Sequence, residues 1–174
     1  MDSLSGKLLI ASPVLPDWFQ RTVILIVEHA DEGAFGLVLN RPSETTVEEA
    51  VPRLAEVAGF GEPVHIGGPV QPDGVVALGE FTEPELSPKL VIGDVGLVDL
   101  EDPPDAIERI RLFAGHAGWG EGQLDGEMEE ETWIVAEPEP DDPFGGDDLW
   151  AEALRRQGGR YELLARMPAD PSVN

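Results

Sequence analysis

The sequence predicts an α+β domain: a mostly antiparallel, curled sheet with helices packed around it. Three observations predict it. Aliphatic and β-branched runs are many and short, and turn residues bound them. Segments with helical spacing are few and fall irregularly between those runs. No regular strand–helix–strand alternation appears, which argues against a doubly wound parallel sheet.

The elements follow in order. Thr22 to Val27 is a continuous aliphatic run of the kind that suits a strand buried on both faces. Glu28 and His29 close it, residues 30–34 turn, and Phe35 to Leu39 returns as the second strand of an antiparallel hairpin. Asn40-Arg41-Pro42 ends the hairpin, because proline has no N–H for the ladder. Thr46 and Glu49 form a capping-box pair, and Val47, Ala50, Val51, Leu54 and Val57 keep helical spacing up to Gly59. Pro52 falls inside that helix, in its first turn or at a kink. Val64 to Ile66 is a short strand breaking into Gly67-Gly68-Pro69, and Val75 to Leu78 and Leu90 to Ile92 are further short strands. Pro104 to Ile110 reads as a helix giving way to a strand at Arg111 to Ala114. A helix over 123–130 and a strand over Trp133 to Ala136 come next. Asp147 or Asp148 caps a helix bearing Leu149, Trp150, Ala153 and Leu154, which Gly158 and Gly159 stop. Tyr161 to Ala165 reads as a final strand.

Composition bounds the function. A chain of 174 residues suits one domain, 1–174, with a single core. Cysteine is absent, so disulfides and thiolate metal sites are excluded. Leu8 to Ala11 is far too short to span a bilayer, and no basic leader precedes a long apolar region. The expectation is a cytoplasmic protein without a membrane association. The formal net charge of -24 opposes direct contact with nucleic acid, which Lys and Arg usually supply. Residues 125–148 hold many Asp and Glu and no Lys or Arg, which reads as solvation and as a lure for a basic partner. Arg109/Arg111 and Arg155/Arg156/Arg160 are the only basic clusters, read as solvated helix surface or ion pairing.

Chemistry-bearing motifs are sparse. His29, His65 and His116 each end an apolar run near glycine turns, with no HxH or HExxH spacing. No serine lies in GxSxG. The Gly115–Gly122 run precedes a helix but matches neither phosphate-binding pattern and is not followed by Lys. The Asp141-Asp142 and Asp147-Asp148 pairs lack the EF-hand spacing. No metal and no cofactor is therefore assigned. Gln123 and Glu127 share one helix face, Leu124 and Met128 another. The polar pair faces a cleft or bonds backbone left open by the glycine turn, and the structural role is favoured. Trp119 and Trp133 each bring an N–H that needs a partner.

Several blocks carry a resemblance. They are Gly6 to Pro13, Asp17-x-Phe19-x-Arg21-x-Val23 and Glu28-His29 through Gly33 to Pro42. Gly67-Gly68-Pro69-Val70, Gly118-Trp119-xx-Gly122-Gln123-Leu124-xx-Glu127, Trp133 and the closing Asp170-Pro171-Ser172-x-Asn174 continue it. Together, in this order, they resemble the YqgE/AlgH family of bacterial proteins. The resemblance implies a single α+β domain whose sheet has a barrel-like, bifurcated portion flanked by helices. It implies no reaction and no cofactor, and only a loose association with transcriptional regulation. His116 stands where the family more often has tyrosine, and the stretch after Gly68 lacks the family's Leu-His step.

The candidate binding residues are Asp17, Arg21, His29, Asn40, Gly67, Gly68, His116, Trp119, Gln123 and Glu127, and no residue is assigned as catalytic. Asp17, Arg21, His29, Asn40 and the turn over 115–127 are expected to converge on one contact surface. The function expected is a non-enzymatic regulatory or binding protein acting through another protein, with a basic partner surface favoured. The alternative is an unrecognised metal-assisted or acid/base hydrolase using His29, His116 and Glu127.

Overall fold

The computed structural model describes residues 3–13, 20–102, 104–146 and 148–166. Asp17, Asp147 and the closing 170–174 motif lie outside the described residues. Among the described residues, ten strands form one open, largely antiparallel sheet in the order β10-β1-β2-β3-β9-β6-β8-β7, with β4 and β5 branching from β9. They are β1 (Leu8–Ala11), β2 (Val23–Ala30), β3 (Gly33–Val38), β4 (Pro42–Thr46), β5 (Pro63–Ile66), β6 (Val70–Phe81), β7 (Leu90–Ile92), β8 (Val95–Leu97), β9 (Ile107–Trp119) and β10 (Trp133–Ala136). The helices are α1 (Val47–Ala50), α2 (Ala55–Ala58), α3 (Gln123–Glu129), α4 (Leu149–Arg155) and α5 (Arg160–Leu164).

The central strands are buried on both faces, as the aliphatic runs require. Along β1, Leu8 and Ile10 enter the cluster that holds Leu149, Trp150 and Leu154 of α4, while Leu9 and Ala11 enter the opposite cluster with Leu124 of α3. Val23, Leu25 and Val27 alternate with Ile24 and Ile26 on β2 in the same way. A third cluster joins Val47 and Leu54 to Ala77, Ile110 and Leu112.

Bifurcation happens at β9. One edge of β9 pairs with β6 along most of its length. The other edge is shared: Ala117–Trp119 pair with β3, and Phe113–Ala114 pair in parallel with β5.

Four expectations are corrected. Residues 104–110 are not a helix; β9 begins at Ile107, where Arg109 and Arg111 alternate with the core residues Ile110 and Leu112. Tyr161 to Ala165 is not a strand but α5, with Tyr161, Leu164 and Ala165 turned to the core at helical spacing. Its start follows Gly158 and Gly159, both at positive φ. The helix over 47–59 is interrupted: Val51 leaves the helical region before Pro52, at φ -139° and ψ 77°, and the proline opens a one-turn 3-10 segment between α1 and α2. The capping box does not close on the backbone; Thr46 Oγ1 donates instead to Glu49 Oε1 at 3.0 Å. Asp148 occupies the N-cap of α4 without a side-chain cap bond.

Candidate functional site

The β2–β3 hairpin carries His29 near its turn, on the face opposite Glu28. The side chain of His29 is 9% exposed. Leu4 N–H donates to His29 Nδ1 at 2.9 Å, an acceptor role that nitrogen fills only in the tautomer with its proton on Nε2. That nitrogen faces Asp125 Oδ1 at 3.6 Å, beyond hydrogen-bond length. Asp125 sits in the first turn of α3, which Gly122 launches from a left-handed conformation at φ 72°. Its Oδ1 is buried and has no hydrogen-bond partner.

These groups line a cavity of about 460 Å³ with Ser3, Asp31, Glu121 and Gly122. A smaller cavity of about 290 Å³ lies on the other side of the turn, between Glu28, Glu32, Phe35 and Trp119. Gly33 opens β3 at φ 142°, where a Cβ would meet Trp119 O of β9 at 2.4 Å. The hairpin tip is thus acidic on both faces, and among the described residues no Lys or Arg lines either cavity.

Gln123 and Glu127 behave as bracing. Glu127 Oε1 accepts both indole N–H groups, from Trp119 at 3.1 Å and Trp133 at 2.9 Å. Its Oε2 accepts Gln123 Nε2 at 3.1 Å, and Gln123 Oε1 accepts the Gly120 N–H at 3.0 Å. The two indoles meet edge to face, 6.3 Å between centroids.

Arg21 and Asn40 form a second cluster. Arg21 holds φ 57°, which a side chain disfavours. Asn40 staples it: Nδ2 donates to the Arg21 carbonyl at 2.9 Å, and Oδ1 accepts the Val23 N–H at 3.0 Å. The Arg21 guanidinium lies 4.5 Å over the Trp150 ring. Val23 and His29 stand at opposite ends of β2, roughly 20 Å apart at the usual strand rise. The structure therefore brings His29 together with the start of α3 and keeps Arg21 and Asn40 apart from them.

Gly67, Gly68 and His116 belong to the bifurcation. Gly67 N–H donates to Ala114 O, and Gly67 O accepts from Val38 N–H, so this residue bridges β9 and β3. A Cβ on Gly68, at φ 157°, would lie 2.1 Å from the His116 carbonyl carbon. The His116 ring packs edge-on to Phe35 at 5.6 Å. His65 is 4% exposed on β5, and its Nδ1 has no hydrogen-bond partner. Burial, then the nearby Arg111, lowers its pKa to about 4, against a hydrogen bond to the Pro63 backbone.

The acidic stretch has internal partners. Arg109 is bidentate to Glu80, at 3.0 Å and 3.2 Å, and pairs with Asp141 at 2.9 Å. Arg156 pairs with Glu139 at 2.8 Å and Asp142 at 2.9 Å. Arg111 donates to the carbonyls of Pro143 and Gly145. Much of the charge over 139–142 is therefore committed within the chain, whereas Asp31 and Glu121 at the hairpin tip line a cavity.

The arrangement limits the chemistry. A general base needs a lone pair within reach of substrate. The His29 lone pair is taken by Leu4 N–H, and its N–H points at Asp125. Both Glu127 oxygens are engaged. Among the described residues, no three His, Asp or Glu side chains are placed to hold a metal ion. Sequence reasoning missed Ser3, Leu4, Glu121 and Asp125 as neighbours of His29; only the spacing of α3 and the acidic turn hinted at them.

Comparison with known proteins places the chain. A family model described as AlgH-like matches residues 8–162. A UPF0301 protein of Streptomyces coelicolor is 44% identical over 188 aligned positions, spanning 100% of this chain and 97% of its own. A UPF0301 protein of Mycobacterium tuberculosis is 43% identical over 182 positions, spanning 98% and 90%. The crystal structure of a Corynebacterium diphtheriae protein superimposes with a TM-score of 0.87 at 30% identity, covering 96% of this chain and 93% of that one. The solution structure of the AlgH protein from Pseudomonas aeruginosa gives a TM-score of 0.68 at 27% identity, covering 95% of each. No helix among the described residues is long and apolar enough to cross a membrane.

Proposed function

Since the chain belongs to the AlgH-like family, whose function is uncharacterised, we propose that it acts as a non-enzymatic binding protein that holds a cationic group of a basic protein partner at the β2–β3 hairpin tip. Its role is regulatory, exerted through that contact in the bacterial cytoplasm.

One observation carries this reading. Asp125 Oδ1 is buried without a hydrogen-bond partner, in a cavity shared with Asp31 and Glu121. The Asp125 side chain as a whole is 44% exposed, so an ammonium or guanidinium donor meets this carboxylate from the cavity. The formal net charge of -24 steers basic partners toward the chain and polyanions away. The hydrolase reading gains no such support, because His29 Nδ1 and both oxygens of Glu127 are turned to internal partners.

Calorimetric titration with trilysine at low ionic strength tests it. The expected result is saturable binding that weakens about tenfold in Asp125→Asn and weakens further with salt, as screened ion pairs do. Triglutamate gives no heat. Absence of binding, or equal affinity in the variant, overturns the reading.

A further inference from the structure

The larger hairpin-tip cavity is bordered by Ser3, and three bonds tie residues 3–5 to His29. Ser3 Oγ donates to the His29 carbonyl at 3.1 Å, the His29 N–H donates to Ser5 Oγ at 2.8 Å, and Leu4 N–H donates to Nδ1 at 2.9 Å. Leu4 itself packs on the cluster holding Leu9, Ile26 and Trp133. Residues 3–5 thus form a strap across the end of β2.

One of those three bonds depends on a proton. Nδ1 accepts only while the imidazole is neutral; the imidazolium carries N–H on both nitrogens. A protonated Nδ1 would meet the Leu4 N–H donor against donor. The other side of the ring presents the opposite pull. Nε2 faces Asp125 Oδ1 at 3.6 Å, and Asp31 and Glu121 line the same cavity. Glu28 lies on the opposite face of β2, against the smaller cavity. Ser3, Leu4 and Ser5 also bond to His29, and among the described residues no Lys or Arg lines the cavity.

We infer that His29 is a proton-operated latch coupling the 3–5 strap to the acidic cavity. Neutral His29 holds the strap down and leaves the Asp125 carboxylate open. When the ring takes a proton, the Leu4 bond is lost, the strap loosens at Leu4, and the imidazolium takes Asp125 as its counter-ion. A proton on His29 and a cationic group in the cavity then compete for one carboxylate. This coupling rests on the cavity being the partner site proposed above, whereas the titration of the strap does not. Mutual exclusion has a fixed signature: affinity for a cation falls up to tenfold for each pH unit below the His29 midpoint.

Two measurements on the intact chain separate the parts. Imidazole ¹⁵N NMR with amide exchange, from about pH 8 to about pH 5.5, covers the usual histidine range. It is expected to show the Nε2–H form at the upper end, and loss of Leu4 amide protection in step with His29 protonation. In His29→Asn, whose amide oxygen can accept from Leu4 without titrating, that protection is expected to persist at every pH. An Nδ1–H form, or a Leu4 amide that stays protected while His29 titrates, overturns the latch even if the variant fails to fold. Trilysine titration over the same range reads the coupling. Binding that weakens with acid in the native chain and stays level in His29→Asn supports it. Binding that ignores pH overturns the coupling alone, and no binding at any pH overturns the site reading and the coupling with it.

Discussion

Glu127 Oε1 accepts the Trp133 indole N–H at 2.9 Å, and the same oxygen accepts Trp119 at 3.1 Å. One carboxylate thus ties the end of β9 to the start of β10 through α3. Both indoles are nearly buried. Glu127→Ala takes this acceptor from the two buried indoles, at about 1–3 kcal/mol each before relaxation, and from the exposed Gln123 amide. The expected loss is roughly 3 kcal/mol in urea unfolding, with the near-ultraviolet circular dichroism of the tryptophan pair collapsing. Glu127→Gln keeps one acceptor oxygen and should lose about half as much.

Two glycines separate packing from flexibility. Gly68→Ala places a methyl about 2 Å from the His116 backbone of β9, at φ 157°. It is expected to cost more than about 4 kcal/mol, or to prevent folding. Gly122→Ala also sits at positive φ, 72°, but a Cβ there meets nothing within 4 Å. Its cost is expected near 1 kcal/mol, the left-handed penalty alone. Expression yield and thermal midpoints of the pair check the contrast. Equal losses would show that Gly68 is not wedged against β9.

His65 gives the fold a pH dependence with a definite sign. Its folded pKa of about 4 lies below the ordinary 6.5, so the unfolded chain binds the proton more readily. The stabilisation is fully present above about pH 6.5 and is lost as pH falls toward about pH 4. The full loss is about 3 kcal/mol from this group. His65→Phe removes the proton and packs beside Phe113, 6.0 Å from the His65 ring centroid. Across that window the native chain should lose about 3 kcal/mol relative to the variant as pH falls. Parallel curves would exclude His65 as the source.

What was legible in the chain follows from which physical signal each element carries. The β2–β3 hairpin announces itself because Val23 to Val27 are all buried and uniformly aliphatic. β9 misleads because Pro104 and Asp105 look like a helix start, while the period-two alternation of Arg109 and Arg111 with Ile110 and Leu112 is short and charged. Tyr161, Leu164 and Ala165 do repeat at helical spacing, but five residues are too few for periodicity to outvote a compact apolar run. The Gln123–Glu127 brace was visible as a one-turn spacing. The meeting of His29 with Leu4 and Asp125 was not, because the fold brings together three segments distant in sequence.

The acidic loop supplies the last test, because its charge has two readings with opposite consequences. Asp142 is 5% exposed, and its Oδ2 accepts from Arg156 at 2.9 Å and from the Glu139 N–H at 2.7 Å. Removing the cation strands a buried carboxylate, which costs far more than losing a surface pair. Arg156→Ala should therefore lower stability by about 3 kcal/mol, and Arg156→Ala with Asp142→Asn should recover part of it. The loop carboxylates are meanwhile poor bait for a partner, since Arg109 and Arg156 already hold Asp141 and Glu139. Neutralising both, Glu139→Gln with Asp141→Asn, is expected to change trilysine affinity less than twofold, against about tenfold for Asp125→Asn. A larger effect from the loop than from Asp125 would move the partner surface from the hairpin tip to the 137–146 segment.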